Sequence, residues 1–180
     1  MNMPQLTTQQ VAQLSDLVSQ YITAQRDEFL GRCTPLTQEQ QTAMYGFFSP
    51  HLLDAVRVIN LNPLRVANPS FYSQLLQIGF ANLPDFSQML AITFSDIVVS
   101  HVPFTDGLLF HELVHVEQYR QLGVPRFSEL YVRGFLTGGG YEGIPLERNA
   151  YALGARFEAN LQERFSVSDD VTDWIQNDRF

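Results

Sequence analysis

The chain has 180 residues, of which 45% are hydrophobic and 12% aromatic, and 11 basic against 19 acidic side chains give a net charge of −8. This length allows a sizeable apolar core, and we expect a single domain over residues 1–180. The negative charge repels phosphate backbones and so argues against nucleic acid as a partner. Without a signal sequence or a long apolar run, we expect a cytoplasmic protein with no membrane partner, although export without a signal stays open.

Cys33 is the only cysteine in the chain. No disulfide can form within the chain, and a cysteine-rich zinc site is excluded. Any metal would therefore have to be held by histidine and carboxylate side chains.

Residues 1–88 are predicted to be mostly helical, and they contain no motif that indicates a function. Capping residues and apolar stripes predict the helices, and one alternating run predicts a strand. The predicted elements are helices over residues 7–31, 37–48 and 69–79 and a strand over residues 55–61.

Residues 89–165 are predicted to hold two strands and then three helices. The β-rich run at 89–100, with Ser95-Asp96 as its turn, predicts a small antiparallel sheet. Capping residues and terminal glycines predict helices over residues 105–122, 127–136 and 145–165. A glycine-rich loop at residues 138–143 precedes the last helix. The predicted fold class is therefore α+β, mostly helical, with a small antiparallel sheet before the first of these helices.

The helix predicted over residues 105–122 contains the pattern H-E-x-x-H. His111 and His115 are four residues apart, so on a helix both imidazoles project from one face and can bind one metal ion. Glu112 flanks that face, where a carboxylate can act on a metal-bound water. Each histidine alone would be read as a packed or solvated side chain, but the spacing and the apolar helix around the pair favour metal binding.

A catalytic zinc ion needs a third protein ligand. The metzincin pattern would place it directly downstream, but Gln118 and Gln121 stand at the corresponding positions, which excludes that class. The downstream carboxylate candidates are Glu117, Glu129, Glu142, Glu147, Glu158 and Glu163. Glu147 is preferred because it lies on the first turn of the last helix, and Glu142 is the reserve. The alternative is that Glu147 only caps the helix that Pro145 begins.

These motifs resemble those of a known family. With H-E-x-x-H at residues 111–115 and the later run Glu147-x-x-Ala150-Tyr151, the chain is similar to a minimal gluzincin metallopeptidase, whose second motif is E-x-x-A-[D/Y]. It looks nearest to small bacterial peptidase-like domains that also occur in secreted toxins. The resemblance covers residues 89–165 and implies a zincin-like fold.

Carried over by position, the resemblance implies Zn²⁺ bound by His111, His115 and Glu147, with Glu112 as general base and acid. Relatives that end the second motif in aspartate use it to orient a ligand histidine. This chain has Tyr151 there. The implied reaction is hydrolysis of a peptide bond, and the implied partner is a peptide or protein substrate.

A peptidase also needs a second group that stabilises the tetrahedral intermediate. Tyr141 and His101 are the candidates, together with Tyr131, although the helical spacing of Tyr131 favours the core and the place of His101 before Val102-Pro103 favours a turn. A strand within residues 89–100 could bind an extended peptide by strand addition.

The competing hypothesis is a non-catalytic protein that keeps the fold and binds zinc or a partner. An intact Glu112 favours the enzyme.

Overall fold

The computed structural model describes residues 4–180 and has an α+β fold, as the sequence predicts. The helices of these residues are α1 (Thr8–Leu30), α2 (Gln38–Met44), α3 (Pro50–Ala55), α4 (Tyr72–Gln77), α5 (Asp106–Gly138), α6 (Pro145–Ala159) and α7 (Val167–Gln176). The strands are β1 (Thr34–Pro35), β2 (Arg57–Asn60), β3 (Ala91–Phe94) and β4 (Ile97–Ser100). None of the helices within residues 4–180 is both long and apolar enough for a membrane span.

The predicted helix starts are confirmed where a short polar side chain caps them. Thr7 caps α1 and Thr37 caps α2, each in a reciprocal pair of hydrogen bonds with the glutamine three residues later. Thr105 caps α5 by accepting a hydrogen bond from the backbone N–H of Leu108.

Three predicted helix ends are wrong. Helix α2 stops at Met44, because Tyr45 is already extended. Helix α4 is shorter than the predicted 69–79, and no side chain caps its start. Helix α6 ends at Ala159 because Asn160 is extended and its side chain accepts the N–H of Gln162, which turns the chain away from the helix axis.

The sheet is mixed, so the prediction of an antiparallel sheet is wrong. Strands β3 and β4 do pair antiparallel through the predicted turn, where Ser95 has φ 62°. Strand β2 pairs parallel with β4, with Arg57 opposite Ile97, and β1 pairs antiparallel with β2. The long segment between β2 and β4 permits this parallel return. The strand order β1-β2-β4-β3 leaves β3 at an edge.

Helix α5 positions the H-E-x-x-H residues. It is interrupted at Gly123, whose φ of 72° and ψ of 159° are not helical, so two helical segments meet there, as predicted from Gly123 and Pro125. The first segment is anchored by fully buried Phe110, which stacks on Phe157 of α6 at 4.3 Å between ring centroids. Close packing of this kind holds the side chains of the same helix in fixed positions.

Candidate metal centre

The structure brings together the three side chains that the sequence singles out as metal ligands. His111 and His115 lie one turn apart on α5 with their Nε2 atoms separated by 3.2 Å. Oε2 of Glu147, on the first turn of α6, lies 3.6 Å from Nε2 of His111 and 3.3 Å from Nε2 of His115. Three ligand atoms within 4.8 Å of one another could hold one metal ion.

The surroundings of Glu147 fit a cation. Its Oε2 is buried and has no hydrogen-bond partner among the described residues. A buried carboxylate oxygen without a partner is unfavourable, and a bound cation would satisfy it. The capping alternative for Glu147 is not formed, because the N–H of Ile144, its expected donor, donates to the carbonyl of Tyr141 instead. Two imidazoles and a carboxylate suit Zn²⁺ and several other divalent metals.

The electrostatics of the group also favour positive charge. Burial, the largest influence, would lower the pKa of His115, but the Glu147 and Glu112 carboxylates and the bond to Gln118 outweigh it and raise that pKa to about 9. Burial would raise the pKa of Glu147, yet the two histidines hold it well below its usual range. The field that favours a proton on His115 would equally favour a divalent cation.

Glu112 lies beside the three candidate ligands, but its carboxylate is not one of the three converging atoms. It is 5% exposed, and Oγ1 of Thr93 on β3 donates a 2.7 Å hydrogen bond to its Oε2. No protein group of residues 4–180 bonds its other oxygen, Oε1. Thr93 therefore fixes the carboxylate by one oxygen and leaves the second available for proton transfer. The sequence gives no sign of Thr93, because only the packing of β3 on α5 brings it here.

Gln118 is the second residue that the sequence analysis missed. It is completely buried, and its Oε1 lies 2.8 Å from Nδ1 of His115. Its Nε2 donates to the carbonyl of Leu146 at 3.0 Å and to Oδ1 of Asn149 at 2.9 Å. When a metal ion takes the place of the Nε2 proton, Nδ1 of His115 still donates to Gln118 and the Nε2 lone pair faces the ligand group. One side chain thus orients His115 and holds the backbone next to Glu147.

The signal for Gln118 was present in its spacing. A residue three positions after His115 on a helix lies on the same face. The network continues to α7, where Asp170 accepts a 2.8 Å hydrogen bond from Nδ2 of Asn149. Tyr151 lies at the rim, 57% exposed and with its ring 4.6 Å from that of His111.

If a metal ion binds here, we expect the substitution Gln118→Met to weaken its binding, tested with Zn²⁺, roughly 10- to 100-fold, the range typical for partners of ligand histidines. Methionine fills a similar volume but cannot accept the His115 proton or bind the Leu146 carbonyl. The measurement is a competition titration against a chelator, with circular dichroism to verify folding.

Gln121→Met is the matched control for Gln118. Gln121 also lies on α5, and its replacement removes hydrogen bonds to Glu117 and Ser168. Its side chain does not contact His111, His115 or Glu147. Equal zinc affinity in Gln118→Met and the unsubstituted protein would show that Gln118 does not position His115.

Two cavities meet at the ligand group. One is an apolar cavity of about 100 Å³ between α1, β3 and α5, and the other is a wide groove of about 910 Å³ between the segment at residues 82–91 and α6. Both are lined by His111, Glu112 and Tyr141. His111 and Glu112 are therefore reachable from the groove, whereas His115 and Glu147 line only the apolar cavity.

The remaining candidates occupy different places. Tyr141 lines both cavities. Burial, as the largest influence, and then Glu147 raise the pKa of Tyr141 well above its usual value, so its phenol stays protonated.

His101 is 1% exposed and lines neither cavity. Its Nε2 accepts the N–H of Val66 at 3.0 Å, and its Nδ1 donates to the carbonyl of Met89 at 2.7 Å. Tyr131 lines the apolar cavity, and Glu142 is exposed outside the ligand group.

No protein-family model matches the chain, and no curated protein or solved structure matches it significantly.

Proposed function

We propose that the protein is a zinc-dependent peptidase of the gluzincin type, with a zincin-like fold and Glu112 as its general base. The observation that carries this proposal is the convergence of three potential ligand atoms beside a second carboxylate outside that set; one of the three is a buried carboxylate oxygen with no hydrogen-bond partner in residues 4–180. A purely structural zinc site has no use for a carboxylate at that place. The wide groove, which His111 and Glu112 line, offers room for an extended peptide.

The residues divide the chemistry of hydrolysis among them. Bound zinc, held by His111, His115 and Glu147, would lower the pKa of water to about 7 and polarise the substrate carbonyl. Glu112 takes the proton of the attacking water and gives it to the nitrogen of the leaving amine as the C–N bond breaks. Thr93 keeps the carboxylate of Glu112 oriented throughout.

Tyr141 is the group that we assign to the developing oxyanion. Its protonated phenol lies at the junction of the two cavities, and a fixed donor there stabilises negative charge that forms only in the transition state. His101 has both ring nitrogens bonded to backbone groups, which leaves it no free donor for this role. Strand β3, at the sheet edge, offers backbone groups for pairing with the substrate.

Metal analysis and a cleavage assay on one preparation test the proposal. We expect about one zinc per chain by elemental analysis, in line with a three-residue catalytic site. Cleavage of a mixed peptide library should stop after chelation and return with zinc. A protein that binds no stoichiometric divalent metal would contradict the proposal. Stoichiometric zinc without cleavage of any peptide would favour the non-catalytic alternative.

A further inference from the structure

The apolar cavity has walls that the two motifs do not explain. Its side next to α1 is formed by Tyr21 and Ile22, and the segment between β2 and β3 adds Phe71, Tyr72 and Phe86. These residues all belong to the part of the chain without a recognised motif. They add an apolar pocket to a site whose candidate ligands come from α5 and α6.

The cavity ends at the proposed reaction centre. His111, Glu112, His115 and Glu147 line one end of it, and aromatic residues of α5, among them Phe127, line the side. The wide groove shares His111 and Glu112 with the cavity. A chain lying in the groove could therefore place one side chain into the cavity while its backbone stays beside Glu112.

The lining selects for apolar chemistry. Among the described residues, no lysine or arginine contributes to the lining, and the only acidic side chains in it are Glu112 and Glu147, at the end next to the candidate metal ligands. An anionic side chain would find no lysine or arginine to pair with there and would lose its hydration. Burial, as the largest influence, raises the pKa of Tyr21 and Tyr72 above the usual value, so these phenols add no charge.

The size limits the occupant to one side chain. The cavity holds about 100 Å³, somewhat less than the roughly 150 Å³ apolar cavity that accepts benzene in an engineered protein. A leucine or phenylalanine side chain is of this order, and an indole is too large without movement of the walls.

We propose that this cavity is the specificity pocket of the enzyme and receives a branched aliphatic or phenyl side chain from the residue that flanks the scissile bond. The inference rests on the proposed peptidase function. It gives the N-terminal half of the chain a role in substrate selection, through α1 and residues 69–86.

A peptide series on the zinc-loaded protein tests the pocket. Peptides that differ only at the residue flanking the cleaved bond carry phenylalanine, leucine, alanine or aspartate there. Burial of the larger apolar side chains should raise kcat/KM roughly ten- to hundredfold over alanine, with aspartate the poorest. Equal kcat/KM for all four peptides would overturn the inference.

Two variants of α1 locate the preference in the cavity. Val18 lines the cavity, and Val18→Phe should fill part of it, so the ratio of kcat/KM for the phenylalanine peptide to that for the alanine peptide should fall toward one. Leu14 lies one turn earlier on the same helix and lines a different cavity, so Leu14→Phe should keep the ratio. An unchanged ratio in Val18→Phe would contradict the assignment of the pocket.

A binding measurement separates this inference from the peptidase proposal. N-acetyl-phenylalanine amide, added to the zinc-loaded Glu112→Gln protein, should shift the NMR signals of Ile22 and Ile92 in the cavity wall, whereas N-acetyl-glycine amide should not. Probe binding without any cleavage in the unsubstituted protein would support the pocket and overturn the peptidase. Cleavage without preference and without probe binding would overturn the pocket alone.

Discussion

Replacing Glu112 by glutamine is expected to lower kcat/KM for peptide cleavage roughly 10²- to 10⁴-fold, the usual contribution of a general base. Glutamine keeps the shape of the side chain and can still accept the hydrogen bond of Thr93, but it cannot take a proton from water. Because Glu112 is not among the three ligands, the variant should retain about one zinc per chain. Steady-state kinetics and elemental analysis on the same sample measure both effects.

Glu117→Gln is the matched control for this substitution. Glu117 is also a buried glutamate on α5, but Arg120 and Gln121 bond its carboxylate, and it lines neither of the two cavities. Its replacement should leave cleavage within a few-fold of the unsubstituted protein, provided the variant folds. If Glu112→Gln cleaved as fast as the unsubstituted protein, the proton transfer assigned to Glu112 would be wrong.

The parts of the site that the sequence predicts are local in the chain. The spacing of His111 and His115 needs only a helix, and the capping residue Thr105 and the break at Gly123 define that helix. Glu147 follows from its place on the first turn of α6. Helical periodicity fixes the relation between the two histidines, whereas the distance from Glu147 to them depends on the packing of α6 against α5.

The parts that the sequence does not predict depend on packing between distant segments. Thr93 reaches Glu112 only because β3 lies against α5, and its neighbours in the chain are apolar residues that indicate nothing more than a buried strand. The parallel pairing of β2 with β4 joins segments about forty residues apart. No turn residue in the sequence predicts a pairing over that distance. The wall that α1 and residues 69–86 contribute to the apolar cavity also depends on packing between distant segments.

Gln118 is a third case: it lies close to His115 in the sequence, but its role depends on contacts with a distant segment. Its spacing from His115 is visible in the sequence, yet the interaction matters because the other end of the amide meets Leu146 and Asn149 on α6. The motif of the resembling family directs attention to Tyr151 as the place of an orienting acid. Here a neutral amide between two ligand-bearing helices supplies the orientation of His115, and Asp170 of α7 supports it through Asn149.

Zinc is expected to stabilise the unsubstituted protein against heat but to give Glu147→Ala little stabilisation. Free metal at about a thousand times its dissociation constant stabilises the folded state by about 4 kcal/mol. For a chain of this size such a gain corresponds to a rise in Tm of roughly 8–16 °C. Without Glu147, only the two histidine ligands remain, and the buried oxygen that the metal would satisfy is gone. Differential scanning calorimetry with chelator-buffered zinc measures the shift.

Glu142→Ala is the control, because Glu142 is an exposed carboxylate in the short turn just before α6 and was the reserve candidate for the third ligand. This variant should keep the full zinc-dependent rise in Tm, since its removal leaves the ligand group intact. An equal rise in Glu147→Ala and the unsubstituted protein would contradict the ligand assignment. Loss of the rise in Glu142→Ala instead would move the third ligand from α6 to the turn, and the buried Oε2 of Glu147 would then need a different partner.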